Sequence, residues 1–418
     1  MKILFIHQNF PAQYRHIVQA LVRQGGHEIV ALGMNQGSSI PGVTIIRHGA
    51  NIEKTSTHPF LSLYEDNIQR GHSAALSAEI LKERGFIPDI ICAHPGWGEA
   101  LFMKAIFPTA KLFCYQEFYY HSTGSDVDFD PEYPPTSKDY TLTTPLRNST
   151  ILQSLAQADF NLSPTQWQKD QFPDIFKKRI KVLHDGIDTT IVKPDPNAFI
   201  EIKGRGLRLS HRDEVITFVN RNLEPYRGFP TFMRTLPALL RARPKAHVLI
   251  VGGDDVSYGR KLPGDQTYRQ KYMAEVGEHL DMSRVHFVGR IPYPVFVNML
   301  QISAVHVYLT YPFVLSWSLL ESMSAGCAIV GSATPPVMEV MKHEENGLLV
   351  DFFSPEALLA AIVRVLDHPD RMADMRKRAR QFVVDHYDLT THCLPAHLEL
   401  IKNIVEAKTP EALDALSL

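Results

Sequence analysis

The sequence predicts an α/β protein made of two doubly wound parallel sheets. Its 418 residues exceed what a single hydrophobic core usually organises. Short, nearly continuous apolar runs recur in both halves, as expected of parallel strands covered on both faces. Stretches of helical period separate them, and strands alternating with helices imply βαβ units.

Composition narrows the class. Hydrophobic residues make up 44% and charged residues 21%, which excludes a disordered or collagen-like chain. With 43 basic and 45 acidic residues the net charge is -2, so no overall positive field draws the chain to nucleic acid. Cys92, Cys114, Cys327 and Cys393 are widely spaced with no CxxC, which argues against structural zinc and against a disulfide framework. The opening MKILFIHQNFPAQ reads as a first strand rather than a signal peptide. No apolar run approaches the roughly 20 residues of a membrane span, and the expectation is a cytoplasmic chain.

In order, KILFIH (2–7) is a strand, 12–24 a helix stopped by Gly25-Gly26, and EIVAL (28–32) the second strand of a βαβ unit. A strand at 44–47, a helix at 63–84, a strand at 89–93, a helix around 98–106 and a strand at 112–115 follow. Residues 121–145 show no period and read as a long loop or lid. A helix at 144–158, a strand at 160–162, a helix near 164–172 and a strand at 180–183 complete the first domain, 1–192. KPDPNAFIEIKGRG, with two prolines and two glycines, places a linker at 193–212. The second domain, 213–388, restarts the alternation with strands at 215–219, 247–251, 285–288, 305–309, 328–331 and 347–350. Its helices include 229–241, 268–280 and 318–324. A C-terminal helix at about 389–418 is expected to pack back onto the first domain.

Ligands of such sheets bind beyond the carboxyl ends of the strands, so two facing sheets would form a cleft. Candidate residues follow strands accordingly: Asn9, His94 and Glu117 in the first half, Arg221, Gly252, Arg290 and Tyr311 in the second. In RNLEPYRG (221–228), Arg221 and Arg227 flank a strand-to-helix turn. Guanidinium forks and helix-start amides both suit a diphosphate, although two solvated arginines in a polar turn would look the same. Glu321 lies within the apolar helix SLLESMSAG, where an unpartnered carboxylate is costly; it can accept both hydroxyls of a ribose or pair with an arginine. The amides of Leu315, Ser316, Trp317 and Ser318 open that helix toward phosphate. Glu339, in TPPVMEV, marks a second such turn or a surface ion pair. HPGWGE (94–99) offers His94 as an acid, base or hydroxyl ligand, and QEFYYH (116–121) offers Glu117 among aromatic faces that suit sugar rings. No HExxH, DxD, GxSxG, GxxxxGK[ST] or first-strand GxGxxG occurs. Leaving-group charge would then fall on the arginines and helix ends, matching metal-free departure of a nucleoside diphosphate.

The succession KILFIH, GGHEIVAL, HDGIDT, RNLEPYRG, FVGRIPYP, LLESMSAGCAIVGS and NGLLVD resembles the family 4 glycosyltransferases over nearly the whole length. The resemblance implies the GT-B fold, two Rossmann-like domains facing across a cleft, and transfer with retention of anomeric configuration. It matches Arg221 and Arg227 to the diphosphate-binding basic pair, Glu321 to the second glutamate of the E-x7-E motif and ribose ligand, and Ile291, after Gly289-Arg290, to the vicinity of the base. Phe313 stands where the first glutamate of that motif is expected, Glu117 where the family has a histidine, and QNFPAQ where it has a glycine-rich loop. Acceptor contacts near Asn9 are inferred from location.

The expected activity is metal-independent, cofactor-free transfer of a sugar from a UDP- or GDP-sugar to a glycan, lipid-linked or small-molecule acceptor. A lipid-linked acceptor would bring peripheral membrane contact through the first domain. A nucleotide-sugar epimerase and a catalytically silent GT-B binding subunit are the alternatives.

Overall fold

The computed structural model describes residues 1–49, 52–53, 58–202, 204 and 206–416. It divides into two compact units. Unit 1 is Met1–Asp128, Pro134–Gly186 and Leu389–Leu418; unit 2 is Phe129–Tyr133 and Ile187–Asp388.

Unit 1 holds seven parallel strands: β1 (Lys2–Ile6), β2 (Glu28–Gly33), β3 (Val43–Arg47), β4 (Ile90–Ala93), β5 (Lys111–Tyr115), β6 (Phe160–Ser163) and β7 (Ile180–Val182). Their order is β3-β2-β1-β4-β5-β6-β7. Because β1, β4 and β5 are covered on both faces, nearly every residue in them is apolar and buried. One face packs Ile3, Phe5 and Ile90 against Ile17 and Leu21; the other packs Leu4, Ile6 and Ile91 against Ala74 and Ala78 of the helix Ser62–Glu83. The helix Leu394–Glu406 adds Leu400, Ile401 and Ile404 to the first face.

Local chemistry trims several expected helices. The helix expected around 98–106 shortens to Met103–Ile106. Gly98 is left-handed (φ 96°), and a Cβ there would come within 2.2 Å of the Asn67 carbonyl oxygen. The helix expected at 144–158 is two, Tyr140–Arg147 and Ser149–Gln157. At their junction the Asn148 side chain accepts from the Tyr120 amide (3.0 Å) and donates to its carbonyl (2.7 Å).

Unit 2 holds six parallel strands: β10 (Val215–Asn222), β11 (His247–Gly253), β12 (Val285–Gly289), β13 (Val305–Tyr308), β14 (Ile329–Ser332) and β15 (Leu348–Val350). Their order is β12-β11-β10-β13-β14-β15. The order reverses beside β10, as it does beside β1 in unit 1, so a switch-point crevice opens between the ends of β10 and β13. The register of β10 on β11 shifts between Val219 and Asn222, an irregularity that breaks the regular pairing at the end of the strand where Arg221 lies.

Most of the expected linker at 193–212 is taken up by an antiparallel hairpin of unit 2, β8 (Phe199–Ile202) with β9 (Leu207–Ser210). Ile200 and Ile202 pack on the unit 2 core, which outweighs the loop-like composition; Lys203 and Arg205 lie outside the described residues. The units part at Gly186 and Ile187 rather than at 192. Within the expected lid at 121–145, Phe129–Tyr133 belong to unit 2 and a helix begins at Tyr140. No helix among the described residues is long and apolar enough to cross a membrane.

Candidate functional site

The switch-point crevice of unit 2 is a cavity of about 610 Å³. Arg221, Arg227, Arg290, Ile291, Ser316, Ser318 and Glu321 all line it. These residues span a hundred positions in sequence and meet because each lies at or beyond the end of a strand of one sheet.

Arg221, the last residue but one of β10, is exposed, and its side chain makes no hydrogen bond or ion pair with a described residue. Arg227 is buried: its Nη1 donates to Thr310 Oγ1 (2.7 Å) and the Val314 carbonyl (3.2 Å), and its guanidinium lies 5.3 Å from the Tyr258 ring centroid. One guanidinium is thus held in place from one side, while the other can follow a ligand. Gly228, φ 69°, permits the turn that presents Arg227, since a Cβ there would sit 2.3 Å from Leu309 Cβ. Arg290 donates to Asn222 Oδ1 (3.1 Å), which fixes it beside β10.

Glu321 lies inside the helix Trp317–Ser324 and is only 9% exposed. Tyr293 donates to its Oε1 (2.8 Å), yet burial pushes its pKa up to about 7. A second donor pair would favour the charged form, which is what vicinal hydroxyls supply.

Other expected residues are placed differently. Ser316 N–H already bonds Tyr308 Oη (2.9 Å), and Ser318 N–H turns to the Ser316 hydroxyl (3.4 Å) that caps the helix. The helix start therefore offers fewer free amides than expected. Leu315 is buried in the apolar core, and Trp317, 42% exposed, is not among the residues lining the cavity. Glu339, on the short helix Pro335–Val340, does not line it either. Phe313, where the resemblance leads one to expect a carboxylate, is buried against Tyr226 and Tyr258 (ring centroids 5.6 and 4.9 Å) and is not among the residues lining the cavity.

Glu224, Asn222, Tyr258 and Tyr293 also line the cavity and were not singled out from sequence. Glu224 is buried and accepts from the amides of Ser257 (2.9 Å), Tyr258 (3.2 Å) and Gly259 (2.8 Å). It shapes the loop carrying Tyr258, and its negative charge is spent on those amides. A carboxylate amid RNLEPYRG was the available signal.

In unit 1, His94 and Glu117 do meet, His94 Nε2 lying 3.4 Å from Glu117 Oε2. Because His94 Nδ1 accepts from the Gly96 amide (3.2 Å), Nε2 carries the proton toward Glu117. Trp97 stacks on the His94 ring (centroids 4.5 Å), and these residues border a pocket of about 70 Å³. His7 packs edge-on against His94, and burial holds its pKa down at about 2, so it is neutral. Asn9 is exposed; its amide donates to His7 Nδ1 (2.8 Å) and its side chain accepts from Asn35 (2.7 Å). No group of three or more metal-ligating side chains occurs among the described residues.

Two parallel sheets, each with polar residues gathered at its switch point, define a two-unit Rossmann-like protein of the GT-B class. Sucrose-phosphate synthase from Thermosynechococcus elongatus shares the fold, with TM-score 0.72 and 18% identity over 97% of this chain and 100% of that one. The Anabaena HepE protein, in a complex with UDP and glucose, gives 0.68 and 16% over 96% and 99%. Residues 25–192 match the model of the glycosyl transferase family 4 group, and residues 200–382 that of glycosyl transferases group 1. The chain belongs to the family 4 glycosyltransferases. Its similar curated proteins include a D-inositol 3-phosphate glycosyltransferase of Thermobispora bispora, 23% identical over 47% of this chain and 44% of that protein. A GDP-mannose-dependent alpha-(1-6)-phosphatidylinositol monomannoside mannosyltransferase of Mycobacterium tuberculosis is 25% identical over 49% and 51%. The matched region spans about half the length of these curated relatives.

Proposed function

We propose that the protein transfers a sugar, with retention, from a nucleoside diphosphate sugar to a glycan, lipid-linked or small-molecule acceptor. The observation that carries this reading is the unit 2 cavity, which Arg221, Arg227 and Arg290 line together with a buried carboxylate, Glu321. Arg227, rigidly held, and Arg221, free to adapt, take the diphosphate; charge developing on the leaving group falls on them, and neither a metal nor a cofactor is needed in this scheme. Glu321 takes the ribose hydroxyls, with Arg290 and Ile291 beside the base. Ser316 and Ser318, which line the cavity, bring hydroxyls to the phosphate or sugar. In unit 1, His94 and Glu117 are a proton-exchanging pair for sugar or acceptor hydroxyls, with Trp97 offering a ring face. Retention rests on family membership. Both UDP and GDP are candidate leaving groups, since one relative named above is GDP-mannose-dependent and one structural neighbour holds UDP.

Arg227→Ala tests the scheme. It is expected to remove about 2–4 kcal/mol of transition-state stabilisation, read as kcat/KM for transfer or for donor hydrolysis. Unchanged turnover would overturn the assignment. A catalytically silent subunit is the second reading, favoured by Phe313, which is packed between Tyr226 and Tyr258. Calorimetric binding of nucleoside diphosphates without turnover over a broad acceptor panel would select it.

A further inference from the structure

Five residues, Phe129–Tyr133, lie in sequence between β5 and β6 of unit 1 and yet belong to unit 2. They are fastened along their whole length. Phe129 packs on Tyr311, Phe352 and Phe353 (ring centroids 5.1, 5.2 and 4.9 Å). Asp130, 6% exposed, accepts from the Glu132 amide through Oδ1 (2.8 Å) and from the Tyr311 hydroxyl through Oδ2 (2.5 Å). Glu132 binds Arg234 (2.7 Å) and Lys271 (2.9 Å), and Tyr133 bonds Tyr272. Burial pushes Glu132 up, but hydrogen bonds from Arg234, Lys271 and Tyr272 outweigh it and hold its pKa at about 2.

The contact that matters for the cavity is Asp130 on Tyr311. Tyr311 N–H donates to the Tyr226 carbonyl (2.9 Å) and its ring packs on the Tyr226 ring (4.5 Å). Tyr226 immediately precedes Arg227. Arg227 in turn donates to Thr310 and Val314, which flank Tyr311. Tyr311 therefore joins both segments that hold the buried guanidinium, and Asp130 fixes the outer end of Tyr311.

We infer that Asp130 is a positioning residue for Arg227, acting through Tyr311, so that a segment from the β5–β6 connection sets how well unit 2 binds a diphosphate. The inference rests on reading Arg227 as a diphosphate ligand. Asp130 and Tyr311 are 6% and 2% exposed, so removing either partner leaves a poorly solvated oxygen of the other without this bond and releases the outer end of the Tyr311 ring.

The test compares a nucleoside diphosphate with its monophosphate, because Arg227 addresses the extra phosphate. The unaltered protein, Arg227→Ala, Asp130→Ala and Tyr311→Phe are titrated calorimetrically with UDP and UMP and with GDP and GMP. Arg227→Ala should collapse the preference for diphosphate. Asp130→Ala and Tyr311→Phe should each lower it about tenfold while changing monophosphate affinity much less. A merely structural role would weaken both ligands alike through loss of folded protein, and that result overturns the inference; Tyr311→Phe, which removes one oxygen atom, decides the matter if Asp130→Ala fails to fold. If Arg227→Ala lowers the preference and the two other variants do not, the inference fails and the site reading stands. If Arg227→Ala leaves it intact, or neither diphosphate binds, both fail.

Discussion

Glu321 is a cavity-lining carboxylate that burial moves away from its ordinary state. Its carboxyl is buried, Tyr293 is its one hydrogen-bond donor among the described residues, and burial pushes its pKa up to about 7. Hydroxyls of a bound ribose would donate to the charged form and stabilise it, so nucleotide binding and proton release are linked. The sign follows directly. Below pH 7 the group must lose a proton to bind, and affinity is expected to weaken by up to about tenfold for each pH unit below that point, levelling off above it. Titrations of UDP or GDP between pH 5.5 and 8.5 measure this, and a flat profile, or the same profile in Glu321→Gln, would remove Glu321 from the ribose. The sequence revealed this residue because a carboxylate inside SLLESMSAG had to be partnered. It concealed Tyr293, since a tyrosine after a proline carries no sign of the carboxylate it will meet 28 positions on.

At the level of elements, the turn from β10 into the helix Phe229–Ala242 decides whether Arg227 reaches the cavity. Gly228→Ala would force a left-handed alanine, costing about 1–2 kcal/mol, and would drive its Cβ into Leu309. Both a lower melting temperature and weaker diphosphate binding are expected; a variant with wild-type stability and affinity would show that the turn relaxes freely. Parallel strands were legible because burial on both faces leaves them no polar positions to alternate. The hairpin β8–β9 was not, because a half-covered antiparallel pair mixes charges with its buried Ile200 and Ile202 and so resembles a linker. The helix Tyr293–Gln301, which carries Tyr293 to Glu321, opens on Tyr-Pro and is short enough to escape notice. Phe129–Tyr133 had no periodicity to read, since its fixing partners Tyr311, Arg234 and Lys271 are all more than a hundred residues away.

For the molecule as a whole, the two units own separate cores. Ile404 is fully buried against the β1 side of unit 1, far along the chain from the strands it covers. Ile404→Ala should cost unit 1 about 2–5 kcal/mol. Urea unfolding should show the loss, while calorimetric affinity of unit 2 for a nucleoside diphosphate stays at its original value; a parallel fall in affinity would mean that the cores are not independent. The return of the chain to unit 1 at Leu389 also bears on the order of events during synthesis. Chains emerge from the ribosome at roughly 5–20 residues per second, N-terminus first. When β7 has been made, one face of the unit 1 sheet still lacks Leu400, Ile401 and Ile404, and it waits through two hundred further residues for them. Unit 2 lies between, and apart from Phe129–Tyr133 it is contiguous, so it can close first. The domain begun first is the one finished last, and its apolar face is open to chaperones, or to neighbouring chains, for the whole of that interval.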